Sequence, residues 1–130
     1  MLETITTPTG QRPFGPYAQA IRANGFIFCS GHSGVDPVTD TLVPGGITQQ
    51  TRQVLANLRA VLLAAGSDLA HVVKVTVYLH DMADFAQMNE VYAEEFGSHQ
   101  PARTAIEVAQ LAKPGAVVVM DLIAVLVQED

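Results

Sequence analysis

The short stretch "QPARTAIEV", Gln100 to Val108, holds the most chemically suggestive residue of this 130-residue chain. Arg103 stands between a helix-breaking proline, Pro101, and a run that alternates apolar and polar side chains. Only seven Lys and Arg oppose thirteen Asp and Glu. A cation at the mouth of a buried strand is costly unless something negative meets it. A planar guanidinium binds a carboxylate through two parallel hydrogen bonds. Its stem can lie on apolar surface while its head points into a cleft. The residues leave two partners open: a local acid, Glu94 or Glu107, or the carboxylate of a ligand.

Three other side chains have the right chemistry and a plainer alternative each. Tyr17, in "GPYAQA", follows Gly15 and Pro16 on a loop, where its phenol either orients a substrate or packs half-buried. Ser30 ends a strand beside Gly31, where backbone can approach a ligand closely; it also suits a simple strand-end cap. Asn89 lies on the edge of an apolar helix stripe and needs a hydrogen-bond partner, backbone or other.

Other chemistries find little support. The four histidines, His32, His71, His80 and His99, lack the short spacings of a zinc site. Gly45-Gly46 is not followed by the Gly-Lys-Ser/Thr of a phosphate loop. In "SGHSG" the first glycine stands one position too close for a serine-hydrolase elbow.

The elements that must position these residues follow from periodicity. Pro8, Gly10, Pro13, Gly15 and Pro16 mark the start as a loop. Phe26–Gly31 reads as a short strand, and Asp36-Pro37 and Gly45-Gly46 as breakers. From about Thr48 to Ala65, Val54, Leu55, Leu58, Val61, Leu62 and Ala65 recur at helical spacing. Thr48 suits its N-cap and Gly66 its C-terminal stop. "VVKVTVYL", Val72 to Leu79, has period two, with Val73, Val75, Val77 and Leu79 on one face. Asp81 suits the cap of a second helix striped by Phe85, Met88, Tyr92 and Phe96. Strands near Thr104–Ala109 and Val117–Val127 close the chain.

A helix between two strands is a crossover unit. Two helices and about six strands predict an α+β domain over residues 1–130, with both helices on one face of a mixed sheet. The other face then needs cover, and copies of the same chain supply it most economically. The low charged fraction, 15%, points the same way. A net charge of −6 and a pI near 5.0 argue against nucleic acid. No apolar run reaches the length of a membrane span, and "MLETITTPTG" has neither part of a signal peptide. A single cysteine, Cys29, excludes an intramolecular disulfide. The expected location is the cytoplasm.

Taken together, "GPYAQA", "CSG…VDP", "QTRQVLANLRAVLLAAG", "VVKVTVYLHDMADFAQMNEVY" and "PAR" resemble the RidA/YjgF family of enamine/imine deaminases, in order, from about Gly15 to Ala124. The resemblance implies a chorismate-mutase-like subunit that assembles as a homotrimer, with a central barrel and sites between subunits. It implies cofactor-free hydrolysis of reactive 2-imino and 2-enamino acids to 2-keto acids and ammonia. Arg103 would clamp the substrate carboxylate and Tyr17 would bond near the imine or its water. Ser30, the Gly31 backbone and Asn89 match the family's pocket positions. A ribonuclease role, sometimes attached to the family, conflicts with the acidic pI and the lack of a basic stripe.

Three departures mark a divergent member. Ala105 stands where the best-known deaminases have cysteine, two residues after the arginine. Registering "LIAV" against the family ending, with one extra residue in "LAKPGA", puts Val119 where an acid should hold the attacking water. Asp121 faces the same side but lies about 6.5 Å further along the strand, too far to replace that acid. His32 stands where glutamine is common. It shares strand parity with Ser30 if the strand runs straight through Gly31, and would then bring a titratable group near the pocket; otherwise it only replaces glutamine as a hydrogen-bonder. The expectation is a weakened or redirected deaminase, with a small-carboxylate-binding or protein-interaction trimer as the alternative.

Overall fold

The computed structural model describes residues 1–128. Its main sheet has six strands in the order β1-β2-β3-β8-β6-β7. These are β1 (Glu3–Ile5), β2 (Ala20–Ala23), β3 (Phe26–His32), β6 (Val72–Leu79), β7 (Ala102–Glu107) and β8 (Val118–Val125). A small hairpin of β4 (Val35–Asp36) and β5 (Thr41–Leu42) stands apart. All main-sheet neighbours are antiparallel except β6 and β7, which run parallel through the crossover helix α2 (Phe85–Phe96). The sheet is therefore mixed, as expected, and β7 is an edge strand.

Helix α1 (Ile47–Ala65) buries the expected stripe: Val54, Leu55, Leu58, Val61, Leu62 and Ala65 are wholly covered. They join Ile27, Val75, Val77, Leu79, Met120 and Leu122 from the sheet in one core, which α2 completes with Met88, Tyr92 and Phe96. Each Val, Leu, Ile, Phe or Met side chain among them contributes about 1.5–3 kcal/mol by leaving water. Gly66 stops α1 at φ +92°, and the N–H of Ser67 returns to the Leu62 carbonyl. The start differs from expectation. Gly46 occupies the N-cap and no side chain caps the helix, so Thr48 lies inside it. Asp81 does cap, but it accepts from Ala83 N–H in a 3₁₀ turn, Met82–Asp84, that leads into α2.

Two irregularities shift side chains between faces. The β6–β8 register shifts between Val72 and Lys74. Val72 is thereby buried and Val73 is 46% exposed, which corrects the expectation that Val73 shares the core face. The final strands are also displaced from their expected bounds. β7 begins two residues early, so Arg103 pairs with Val75 inside the strand and not at its mouth. The face away from the helices carries Phe26 and Phe28 from β3 and Ile106 from β7, each more than 40% exposed.

Candidate functional site

Arg103 shares its side of β7 with the side of β6 that carries Val75, which is the helix side. It therefore reaches α2. Its Nη1 donates to Asn89 Oδ1 at 2.7 Å. The guanidinium carbon lies 4.8 Å from the Tyr92 ring centroid and 5.5 Å from that of Phe85. Phe85, Asn89 and Tyr92 come from successive turns of α2, so one helix face makes a seat of two π-surfaces and one amide. Burial pushes the Tyr92 phenol pKa up, and the neighbouring guanidinium opposes this.

The two local acids are engaged elsewhere. Glu94 pairs with Arg52 at 3.4 Å, and Glu107 accepts from Met82 N–H at 2.8 Å. Among the described residues no carboxylate meets Arg103. The local salt bridge considered from sequence is absent there. Asn89, whose usual partner would be backbone, spends its oxygen on the guanidinium. A cleft of about 310 Å³ opens beside the pair, bounded by Tyr92, His99 and Pro101.

Tyr17, Ser30, Gly31 and Val119 line a different cleft of about 390 Å³. Tyr17 is held by its own loop: its hydroxyl accepts from Phe14 N–H at 3.3 Å, and its ring meets Phe14 edge-on at 6.0 Å. Ser30 Oγ donates to the Ala18 carbonyl at 2.6 Å, and Ser30 N–H to Gln19 at 3.0 Å. These bonds stitch the Tyr17 loop to the end of β3. A Cβ at Gly31 would come within 3.0 Å of Val119 Cγ1, so glycine lets the valine close over the strand. Among the described residues no acidic side chain lines this cleft.

The two clefts lie on opposite sides of the sheet. Val119 alternates with the buried Val118 and Met120, whereas Arg103 is on the helix side. One copy of the chain therefore cannot present Arg103 and Val119 to one small ligand. Ala105 follows Arg103 on the helix side and packs against the core; it lines neither cleft.

His32 corrects a conditional expectation. β3 does not run straight through Gly31. The register jumps from Cys29↔Leu122 to His32↔Met120, so Ser30 and Gly31 form a bulge opposite Asp121. The extra residue turns His32 to the core side, where it is 2% exposed. Its Nδ1 donates to the Ser30 carbonyl at 2.7 Å. Burial lowers its pKa, and the bond to Ser30 only partly offsets this. His32 is a structural brace of the bulge. Asp121, on the open side as expected, accepts from the Tyr78 hydroxyl at 2.8 Å and does not line the cleft.

Several organising residues escaped the sequence reading. Gln50 and Asn57, both buried on α1, reach the loops around the second cleft. Gln50 accepts from Val117 N–H at 2.9 Å and donates to the Gly115 carbonyl at 3.2 Å. Asn57 donates to the Ser33 and Val35 carbonyls. Gln11 and Ser33 exchange two hydrogen bonds at 2.7 and 2.9 Å. The available signal was the polar pair at positions 50 and 57, seven residues apart on the apolar stripe of α1. Lys113 and Phe14, on the cleft's loops, carried no such signal. No group of three potential metal ligands occurs among the described residues, and no helix there is long and apolar enough to cross a membrane.

Comparison with known proteins places this geometry among relatives. The model of the endoribonuclease L-PSP family matches residues 9–126. A RutC family protein of Pyrococcus horikoshii is 56% identical over 87% of this chain and 90% of its own. The 2-iminobutanoate/2-iminopropanoate deaminase of Bos taurus is 44% identical over 87% of this chain and 82% of its own. Among solved structures, RidA from an Antarctic Psychrobacter has a TM-score of 0.91 at 39% identity, covering 95% of this chain and 99% of that one. E. coli TdcF with bound serine has a TM-score of 0.89 at 34% identity, covering 95% and 98%.

Proposed function

Since the chain belongs to the endoribonuclease L-PSP (YjgF/RidA) family, we propose that it hydrolyses reactive 2-imino and 2-enamino acids to 2-keto acids and ammonia. The observation that carries this reading is the seat of Arg103. The guanidinium is fixed by Asn89, flanked by Phe85 and Tyr92, and has no acid partner among the described residues. Such a site is ready for a carboxylate brought by the ligand. The serine held by TdcF carries an α-carboxylate of this kind.

In this reading Arg103 of one copy faces the Ser30–Gly31 cleft of another. Three copies bring their exposed Phe26, Phe28 and Ile106 faces together around a barrel. Arg103 holds the α-carboxylate, and so fixes the imine carbon beside a water. Tyr17 hydrogen-bonds near the imine nitrogen or that water. An enamine first takes a proton on carbon and releases one from nitrogen, which gives the imine. Water oxygen then bonds to the imine carbon, the C=N electrons move to nitrogen, and nitrogen takes up the proton that water gives up. The resulting amino alcohol passes its hydroxyl proton to nitrogen and expels ammonia as the carbonyl forms. No cofactor takes part. Val119 offers no proton acceptor, so positioning has to supply most of the rate.

The test couples an amino-acid oxidase or a dehydratase to semicarbazide trapping of the imine. Wild-type protein reduces the trapped product, and Arg103→Ala abolishes the effect. Equal trapping with and without wild-type protein would overturn the proposal. Val119 favours a second reading, a trimer that binds small carboxylates without hydrolysis. Saturable binding of 2-ketobutyrate with unchanged trapping would select it.

A further inference from the structure

The cleft that holds Ser30 and Val119 contains one formal charge among the described residues, the ammonium of Lys113. Its Nζ stands 5.7 Å from the centroid of the Phe14 ring, close enough to be held over the ring face. Three other cations, Arg22, Arg52 and Arg59, each meet a glutamate. Lys113 meets none among the described residues. In a chain of net charge −6, a cleft whose only charge among the described residues is positive selects anions.

Val119 completes the argument. A carboxylate at that position would share the cleft with Lys113, offset its positive charge and repel a second anionic group on a ligand. Valine removes both effects and leaves the ammonium available. The cleft volume of about 390 Å³ also leaves room beyond a minimal imino acid. Resting on the reading that Arg103 of another copy takes the α-carboxylate, we infer that Lys113 is a second anion-binding group. The favoured substrates are 2-imino acids whose side chain ends in a second carboxylate. Ser33 and Gln110 line the same cleft and offer neutral hydrogen bonds to that group.

The experiment measures dissociation constants for two stable keto acids, 2-oxoglutarate and 2-ketobutyrate, by titration calorimetry. The proteins are wild type, Lys113→Met and Lys113→Arg. Wild type favours 2-oxoglutarate by about tenfold, the weight of one charge-assisted hydrogen bond. Lys113→Met collapses the ratio of the two constants towards one, and Lys113→Arg retains it. Equal wild-type affinities, or a ratio unchanged in Lys113→Met, overturn the inference. If the preference holds and vanishes in Lys113→Met while no imine is hydrolysed, the anion subsite stands and the deaminase reading falls. If neither keto acid binds, both fall.

Discussion

Arg103 is useful only while its orientation is fixed, and Asn89 does that with a single 2.7 Å bond. Removing the amide leaves the charge in place on the Phe85 and Tyr92 rings but frees its planar fork. Asn89→Ala should therefore lower kcat/KM for an imino acid by about tenfold, mostly through KM, in a steady-state coupled assay. Melting should change little. Val119 makes the opposite prediction. Val119→Glu restores a proton acceptor beside Ser30 and Gly31, and kcat should rise by about 10² to 10⁴ if a glutamate holds the attacking water there. An unchanged or lower rate would show that the acid's absence is not what limits the proposed deamination. At this scale the sequence was informative where a residue type was rare in context. An arginine in an apolar strand and an asparagine on an apolar stripe were legible. Lys113 was not, because a lysine in a loop is ordinary until the fold brings it over Phe14.

The bulge at Ser30–Gly31 is the element on which the second cleft depends. It adds one residue to β3, presents Ser30 and Gly31 opposite Asp121, and turns His32 inward. Periodicity could not reveal it. Both this shift and the one that exposes Val73 arise from how two strands pair, and a strand's own alternation does not contain its partner's register. The helices were read more accurately, since α1 carries its stripe and its glycine stop within one local stretch. His32 gives the bulge a measurable signature. Burial lowers its pKa below the ordinary 6.5, so the folded protein resists a proton that the unfolded chain accepts. Its contribution is constant above about pH 6.5, falls as pH drops toward the folded-state pKa, and levels off below it. Denaturant titrations at pH 7.5 and 5.0 should show a stability loss on acidification that is smaller in His32→Gln. The same loss in both proteins would mean that other groups carry it.

At the scale of the molecule, the sheet separates what the chemistry needs together. Arg103 faces the helices at the β7 edge, while Tyr17, Ser30, Gly31 and Val119 open onto the other side. The exposed Phe26, Phe28 and Ile106 ask for cover. The proposed site, shared between copies, would meet both needs. The sequence pointed to assembly through its low charge density and its uncovered sheet face, but it could not show that the two half-sites sit back to back. The direct test uses two variants, each with one half-site lost: Arg103→Ala removes the clamp, and Ala112→Trp fills the cleft around Ser30. Each is expected to be inactive alone. Unfolded together, refolded, and assayed by semicarbazide trapping, they should recover deaminase activity, because mixed assemblies join an intact Arg103 to an intact cleft. Refolded mixtures that assemble and yet stay as inactive as either parent would contradict the account.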